Sequence, residues 1–367
     1  MKLRQSLNRG FALVAVAMLV IGGLVYRDQA RRIEVDSKAH LATMLMLRES
    51  VLRSYFENLR SEMILWSSQP TIVQIMRRIS DGSARHGSDA KDEVGKLSMR
   101  DFGSANEEAW QSTLNERARV FAEYLEYYDV FFISESGDVL FTATQESDLG
   151  TNLVDGPFAD SGLGRLFRAL REVEDLDQVV FEDFSAYAPS GDEPAAFIGS
   201  PVHEGGKRIG FYAVQIPAKP VNSIMHFSAG MGETGEIYLV GRDGLMRSDS
   251  RFFDDSSILK TTVSGQTVEA ALAGGVGVDV VDDYRGVPVF SAYRPFDFEG
   301  ARWAVLAEQD VDEVRAPIGE LLSWIATGYA VFIVIGLMLR YALVNAVVPA
   351  SLGAFFGLSI LDVVDDD

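Results

Sequence analysis

YYDVFFISESGDVLFTA, residues 127–143, holds two short β-rich runs joined by a turn at residues 135–138. Its first run places Val130, Phe131, Phe132 and Ile133 in succession. A short, unbroken apolar run bounded by turn formers reads as a buried strand. GEIYLVGRDGLMRSDS, residues 235–250, repeats the design. Each stretch opens on an acidic residue, Asp129 or Glu236, continues with four apolar residues, and closes its turn on a glycine, Gly137 or Gly244.

A second matched pair lies further along. AAFIGSPVHEGGKRIGFYAVQIP, residues 195–217, is a hairpin with its turn at Gly205 and Gly206; PVFSAYRPFDFEGARWAVLAEQ, residues 288–309, is its counterpart. Phe197 then falls on Phe290, and residues 211–214 fall on 303–306. A helix-like segment starting near Pro220 separates the halves. Two hairpins in the same order in each half imply an internal repeat. The expected class is α+β: two modules in series, each an antiparallel sheet with flanking helices.

Outside the repeat, residues 11–26 are uncharged and apolar, preceded by Lys2, Arg4 and Arg9 and followed by Arg27, Arg31 and Arg32. A signal peptide competes for this pattern, but no small-x-small cleavage site follows, so an uncleaved transmembrane helix is expected. Residues 321–340 form a second run, uncharged until Arg340. At about 1.5 Å per residue it is long enough to cross the hydrocarbon core. The basic start places residues 1–10 in the cytoplasm. Residues 27–320 then lie on the periplasmic or extracellular side of the plasma membrane, and 341–367 return inside as a short apolar tail.

Residues 27–80 read as a long stalk helix, broken near Pro70. Leu45, Leu52, Leu59, Trp66 and Val73 recur every seven residues, with Met44, Val51, Tyr55, Met63 and Ile64 widening the stripe. This spacing suits packing on the chain's own domain or on a second copy, and both readings stay open. The polar stretch 81–95 reads as a loop. The modules are therefore placed at 81–217 and 218–320.

Composition excludes several functions. With no cysteine, disulfides, thiolate metal sites and cysteine nucleophiles are ruled out. A formal charge of -20 argues against nucleic acid as a partner. His40, His86, His203 and His226 are too scattered to suggest a metal site, and no cofactor is expected. Glu182 and Asp183 are adjacent, so on a strand they point to opposite faces. GMGETGE, residues 230–236, lacks the Lys-Ser/Thr of a phosphate loop. Ser200, His203 and Asp192 lack a nucleophile-elbow context. No enzyme is expected.

YYDVFFISESGDVLFT, followed by DLGTNL and GPFADSGL, together with GETGEIYLVGRDGLMRSDSRF, resembles the double Cache ectodomains of bacterial chemoreceptors, cyclases and other transducers. The resemblance covers residues 27–320. It implies two stacked PAS-like modules on a long N-terminal helix, a ligand pocket in the membrane-distal module, a parallel homodimer, and an output domain after the second span. Residues 341–367 are too few for such a domain, so a separate cytoplasmic output protein is a further expected partner. A sensor of small solutes is the first reading; a membrane-anchored scaffold that docks a signalling partner is the second.

For a ligand in the distal module, the candidates on or beside the strands are Phe184, Tyr187, Phe197, Ser200 and Tyr212. Asp183 is suited to an amine, and Arg165 or Arg168 to a carboxylate. The amine-and-carboxylate pattern of some amino-acid-binding Cache domains is not recognisable. Arg247, Asp249 and Tyr293 are the analogous residues of the second module, with Arg247 and Asp249 also readable as a structural ion pair.

Overall fold

The computed structural model describes residues 2–85, 105–175, 178–226 and 229–357. The chain divides into two units: Met1–Ser37 with Val311–Asp367, and Lys38–Asp310.

In the first unit, helix α1 (Lys2–Ser67) continues without a break from the apolar run into the stalk. Helix α7 (Val311–Gly357) runs past Arg340. The two are antiparallel neighbours there. Phe11 stacks on Phe332 at 4.9 Å, and Arg315 Nη2 donates to Glu34 at 2.6 Å. Leu13, Ile21, Leu24, Val331 and Leu337 are exposed. Both helices are long and apolar enough to cross a membrane, and outward-facing aliphatic side chains suit a hydrocarbon solvent.

The second unit holds the repeat. Helix α1 stops at Ser67, and α2 (Pro70–Arg85) starts on a proline. The first helical position tolerates proline because its missing N–H would lack a partner there anyway. Helix α3 (Ala105–Tyr124) leads into β1 (Asp129–Ile133) and β2 (Val139–Thr142). Helix α4 (Gly162–Arg171) precedes β3 (Val180–Tyr187), β4 (Glu193–Glu204) and β5 (Lys207–Pro217). After α5 (Ala218–Met225) come β6 (Glu236–Val240), α6 (Gln266–Leu272), β7 (Gly277–Asp282), β8 (Pro288–Phe298) and β9 (Ala301–Asp310).

The strand orders match. The first sheet runs β2-β1-β5-β4-β3 and the second β6-β9-β8-β7, antiparallel throughout. Without β2, one order maps onto the other. Gly137 (φ 98°) and Gly244 (φ 79°) occupy equivalent turns in the left-handed region that glycine reaches without steric penalty. The run after Gly244 forms only isolated bridges, Val240 with Met246 and Leu245 with Thr262, so β2 has no full counterpart.

The register of the repeat differs by one residue from the sequence expectation. Asp129 pairs with Gln215, and Glu236 with Glu308. Phe197 pairs with Gln215, and Ser291 with Glu308. Phe197 is thus equivalent to Ser291, not Phe290, and Phe211 is equivalent to Ala304, not Trp303. A one-residue slip exchanges the faces of a strand, so aligning large residues with large residues placed them on opposite sides of the two sheets.

The heptad of α1 is used within the chain. Leu45, Leu52 and Leu59 are buried, as are Phe56 and Met63. Phe56 sits in an aromatic box: Phe298 at 4.9 Å, Trp303 at 5.4 Å, Phe181 at 5.5 Å and Phe296 at 5.6 Å. Phe181 belongs to the first sheet and the other three to the second, so this ring joins both modules to the helix. On the far side of the first sheet, Leu163, Leu166, Phe167 and Leu170 of α4 pack on Phe131, Ile133, Phe197, Phe211 and Ala213. Leu163, Leu166 and Leu170, with Phe167, follow the helical period.

Replacing Phe56 by alanine leaves a hole common to both modules. Phe56→Ala should cost about 3–5 kcal/mol, read as a fall in the urea midpoint by tryptophan fluorescence. Ser61→Ala, at an exposed position of the same helix, should leave the midpoint nearly unchanged.

Candidate functional site

The residues expected to share one pocket are divided by the pleat. Paired residues lie on one face of a sheet, and successive residues alternate. Tyr187 and Phe197 lie on the α4 face, their rings 4.9 Å apart, inside the apolar core. Tyr212 lies on the opposite face, against Phe132 at 5.6 Å. Ser200 is buried, and its hydroxyl donates to the Gln178 carbonyl at 3.3 Å.

Asp183 and Phe184 are turned away by a bulge. Glu182 pairs with Phe197 and Ser185 with Ala195, so β3 spends one residue more than β4 over this stretch. The extra residue lets Asp183 and Phe184 both point toward the second module. Asp183 accepts from Arg247 Nη2 at 3.0 Å, Arg247 Nε at 3.1 Å, Trp303 Nε1 at 3.0 Å and its neighbour's N–H at 2.7 Å. Glu182 stays on the α4 face and pairs with Arg165. Arg165 also donates to Ser185 Oγ at 3.0 Å, and Arg168 to the Ala159 carbonyl.

In the second module, Arg247 pairs with Asp183 and with Asp243 at 2.9 Å rather than with Asp249. Burial works to lower the Arg247 pKa, but the two carboxylates prevail and raise it. Asp249 accepts from Asn222 Nδ2 at 2.6 Å and from Ser256 Oγ at 2.7 Å, on the wall of a cavity of about 550 Å³ between the modules. Tyr293 packs against the second core and donates to Asp279 at 3.0 Å.

A larger cavity, about 650 Å³, lies on the helical side of the first sheet. Ligand sites typically enclose roughly 300–1,000 Å³. Its floor is Val130, Phe132 and Tyr212, from β1 and β5. Trp66 of α1, Ile72 and Ile75 of α2 and Leu114 of α3 form apolar walls, with Gln69, Gln74, Arg78 and Arg117 around them. Of the residues expected from sequence, only Tyr212 lines it. Its ring is 1% exposed, and its hydroxyl has no hydrogen-bond partner among the described residues. Val130 and Phe132 were hidden in an all-apolar run; their alternation with Phe131 and Ile133 was the available signal.

Both modules also bury carboxyl groups. Tyr187 donates to Asp148 Oδ2 at 2.6 Å, and burial pushes Asp148 up to about 6. In the second module, Glu236 and Glu308 face each other across β6 and β9. Tyr284 donates to Glu236 at 2.6 Å and Tyr238 to Glu308 at 2.8 Å. Burial pushes Glu308 up to about 7, and the hydrogen bonds oppose it only in part. Burial raises Glu236 as well.

No protein-family model and no curated protein matches the chain. The similar solved structures include bacterial sensory domains. One is the periplasmic sensory domain of the Campylobacter jejuni chemoreceptor Tlp1, at 13% identity and TM-score 0.48, covering 78% of this chain and 99% of that one. Another is the ligand-binding domain of the Pseudomonas aeruginosa amino acid chemoreceptor PctC with GABA, at 15% identity and TM-score 0.42, covering 75% and 100%. A third is the ligand-binding domain of the Pseudomonas fluorescens chemoreceptor CtaA with L-serine, at 14% and 0.37, covering 72% and 97%.

The raised carboxyls contribute to the pH dependence of stability. A carboxyl whose folded pKa lies above its unfolded value holds its proton more tightly when folded. Its stabilising contribution is full below the unfolded pKa and is lost as pH rises through the folded one. For Glu308 that window runs from 4.5 to about 7. The melting temperature should therefore fall between about pH 5 and pH 8, and Glu308→Gln should flatten much of that fall. A melting temperature that rises over this range would contradict the assignment.

Proposed function

We propose that this chain is a transmembrane sensor whose first module binds a small solute in the cavity between α2, α3 and the face of β1 and β5. The observation that carries the reading is the make-up of the cavity wall. Trp66, on that wall, belongs to α1, the same helix that contains the first apolar span. A solute that favours one packing of α2 and α3 against the sheet thereby acts on α1. Only a difference in affinity between two packings can shift their populations. The second module ends at Asp310, and α7 begins at the next residue, which offers a second route toward the membrane.

The reading has residues 27–320 on the periplasmic or extracellular side, following the basic residues before Phe11. It takes the chain to bind rather than to transform its solute, in a parallel homodimer. The buried leucines of the heptad are engaged by the chain's own modules. Among the exposed apolar residues of the α1 stalk, Met46, Leu47, Val51 and Leu65 remain for a second copy to cover.

Thermal unfolding of the full chain in nanodiscs, screened against a metabolite library, tests the reading. A solute at about 100 times its Kd adds about 2.7 kcal/mol, so at least one compound should raise the melting temperature by several degrees. Ala118→Trp, which fills the cavity wall from α3, should abolish that rise. A library without a stabilising compound, or a rise that survives Ala118→Trp, would count against the cavity.

A further inference from the structure

The second module places two carboxyl groups where a sheet normally avoids them. Glu236 of β6 and Glu308 of β9 are directly paired across the strands, 5% and 2% exposed. Like charges directly opposite each other destabilise a sheet, and burial strengthens the conflict. Tyr284 at 2.6 Å and Ser250 at 3.0 Å donate to Glu236, and Tyr238 at 2.8 Å donates to Glu308. On the other flank of Glu308, Ser291 is paired with it in register and fully buried. The Ser291 hydroxyl is close enough to favour the Glu308 carboxylate, yet it completes no hydrogen bond of ordinary geometry among the described residues. A protonated Glu308 has a proton to donate to that oxygen.

The charged surroundings are uneven. Asp283 opposes ionisation of Glu308, and Arg285 favours ionisation of Glu236. Arg251 is turned to the Gly235 carbonyl at 2.5 Å. Further along the row, Asp279 accepts from Tyr293 at 3.0 Å. Glu269, on the helix packed over this face, is exposed, and Lys38 of α1 lies against Phe290 on the opposite face.

One short loop joins the pair to the end of the module. Tyr284 holds Glu236, and the next residue, Arg285, donates to Asp283 at 2.6 Å and to Asp310 at 2.7 Å. Asp310 ends β9, and α7 begins at Val311. Tyr284 and Arg285 are only half-buried, so the pair is within reach of solvent protons from this side. While Glu308 keeps its proton, Arg285 stays with Asp283 and Asp310. Once both carboxyls are ionised, the added charge draws Arg285 toward Glu236 and loosens its hold on Asp310.

We infer that the proton is a second stimulus for this chain: Glu236 and Glu308 hold it between them, and its loss is reported to α7 through Tyr284, Arg285 and Asp310. The inference takes the chain to be a transmembrane sensor, as proposed above, but needs no solute in the first module.

A spin label tests it in the full chain in nanodiscs. The chain has no cysteine, so Ala316→Cys, at an exposed position of α7, carries the only label. Its spectrum should change between pH 5 and pH 8 with a midpoint near about 7. Glu308→Gln should abolish the change, and Glu236→Gln should lower the midpoint by about one pH unit or more, since it removes the like charge. Arg285→Gln should keep the fall of melting temperature with pH but lose the response of the label. Ala118→Trp, which fills the first cavity, should leave the response intact. A label insensitive to pH, or a midpoint unmoved by both glutamate substitutions, would overturn the inference. A response that survives Arg285→Gln would overturn the route, and one lost in Ala118→Trp would assign it to the first module instead.

Discussion

The carboxylate of Asp183 is the constraint on which the rest of residues 38–310 depends. It is placed by a one-residue bulge in β3 and received by a buried arginine and an indole of the second module. Arg247 is 4% exposed and is shared between Asp183 and Asp243, and removing one partner from a buried ion pair is costly. The contact therefore fixes which edge of the first sheet meets the second module. The Phe56 ring, between Phe181 on one side and Phe296, Phe298 and Trp303 on the other, then ties both sheets to α1.

With that junction set, the two faces of the first sheet become unequal. The α4 face is closed by aromatic packing: Phe167 meets Phe211 edge-on at 5.5 Å, and Tyr187 meets Phe197 at 4.9 Å. Buried aromatics of this kind are held by packing throughout and leave little room for a guest. The opposite face is covered by α2 and α3, with an open volume between them and the strands. The proposed site follows from this inequality: the filled face serves stability, and the incompletely filled one has room for a solute.

Much of the architecture was legible in the residues because it rests on local patterns. The apolar runs after Asp129 and Glu236, the glycines closing their turns and the two long hairpins lead directly to the matched strand orders. The uncharged runs lead to the two apolar helices. The site was far less legible. A run such as Val130 to Ile133, apolar on both faces, hides which side chain points where. The bulge that turns Asp183 away from the α4 face depends on pairing with β4 and leaves no mark in composition. The same ambiguity explains the one-residue offset between the halves: size matched Phe197 to Phe290, and hydrogen-bond register matched it to Ser291.

The central claim is that the sensory face of the first module is the one covered by α2 and α3. Hydrogen exchange of the full chain, with and without a stabilising solute, tests it most directly. Added protection should concentrate in residues 66–78, 114–118, 130–133 and 211–214, with residues 162–171 and 180–187 unchanged. Protection confined to 162–187 would place the solute on the α4 face and contradict the account.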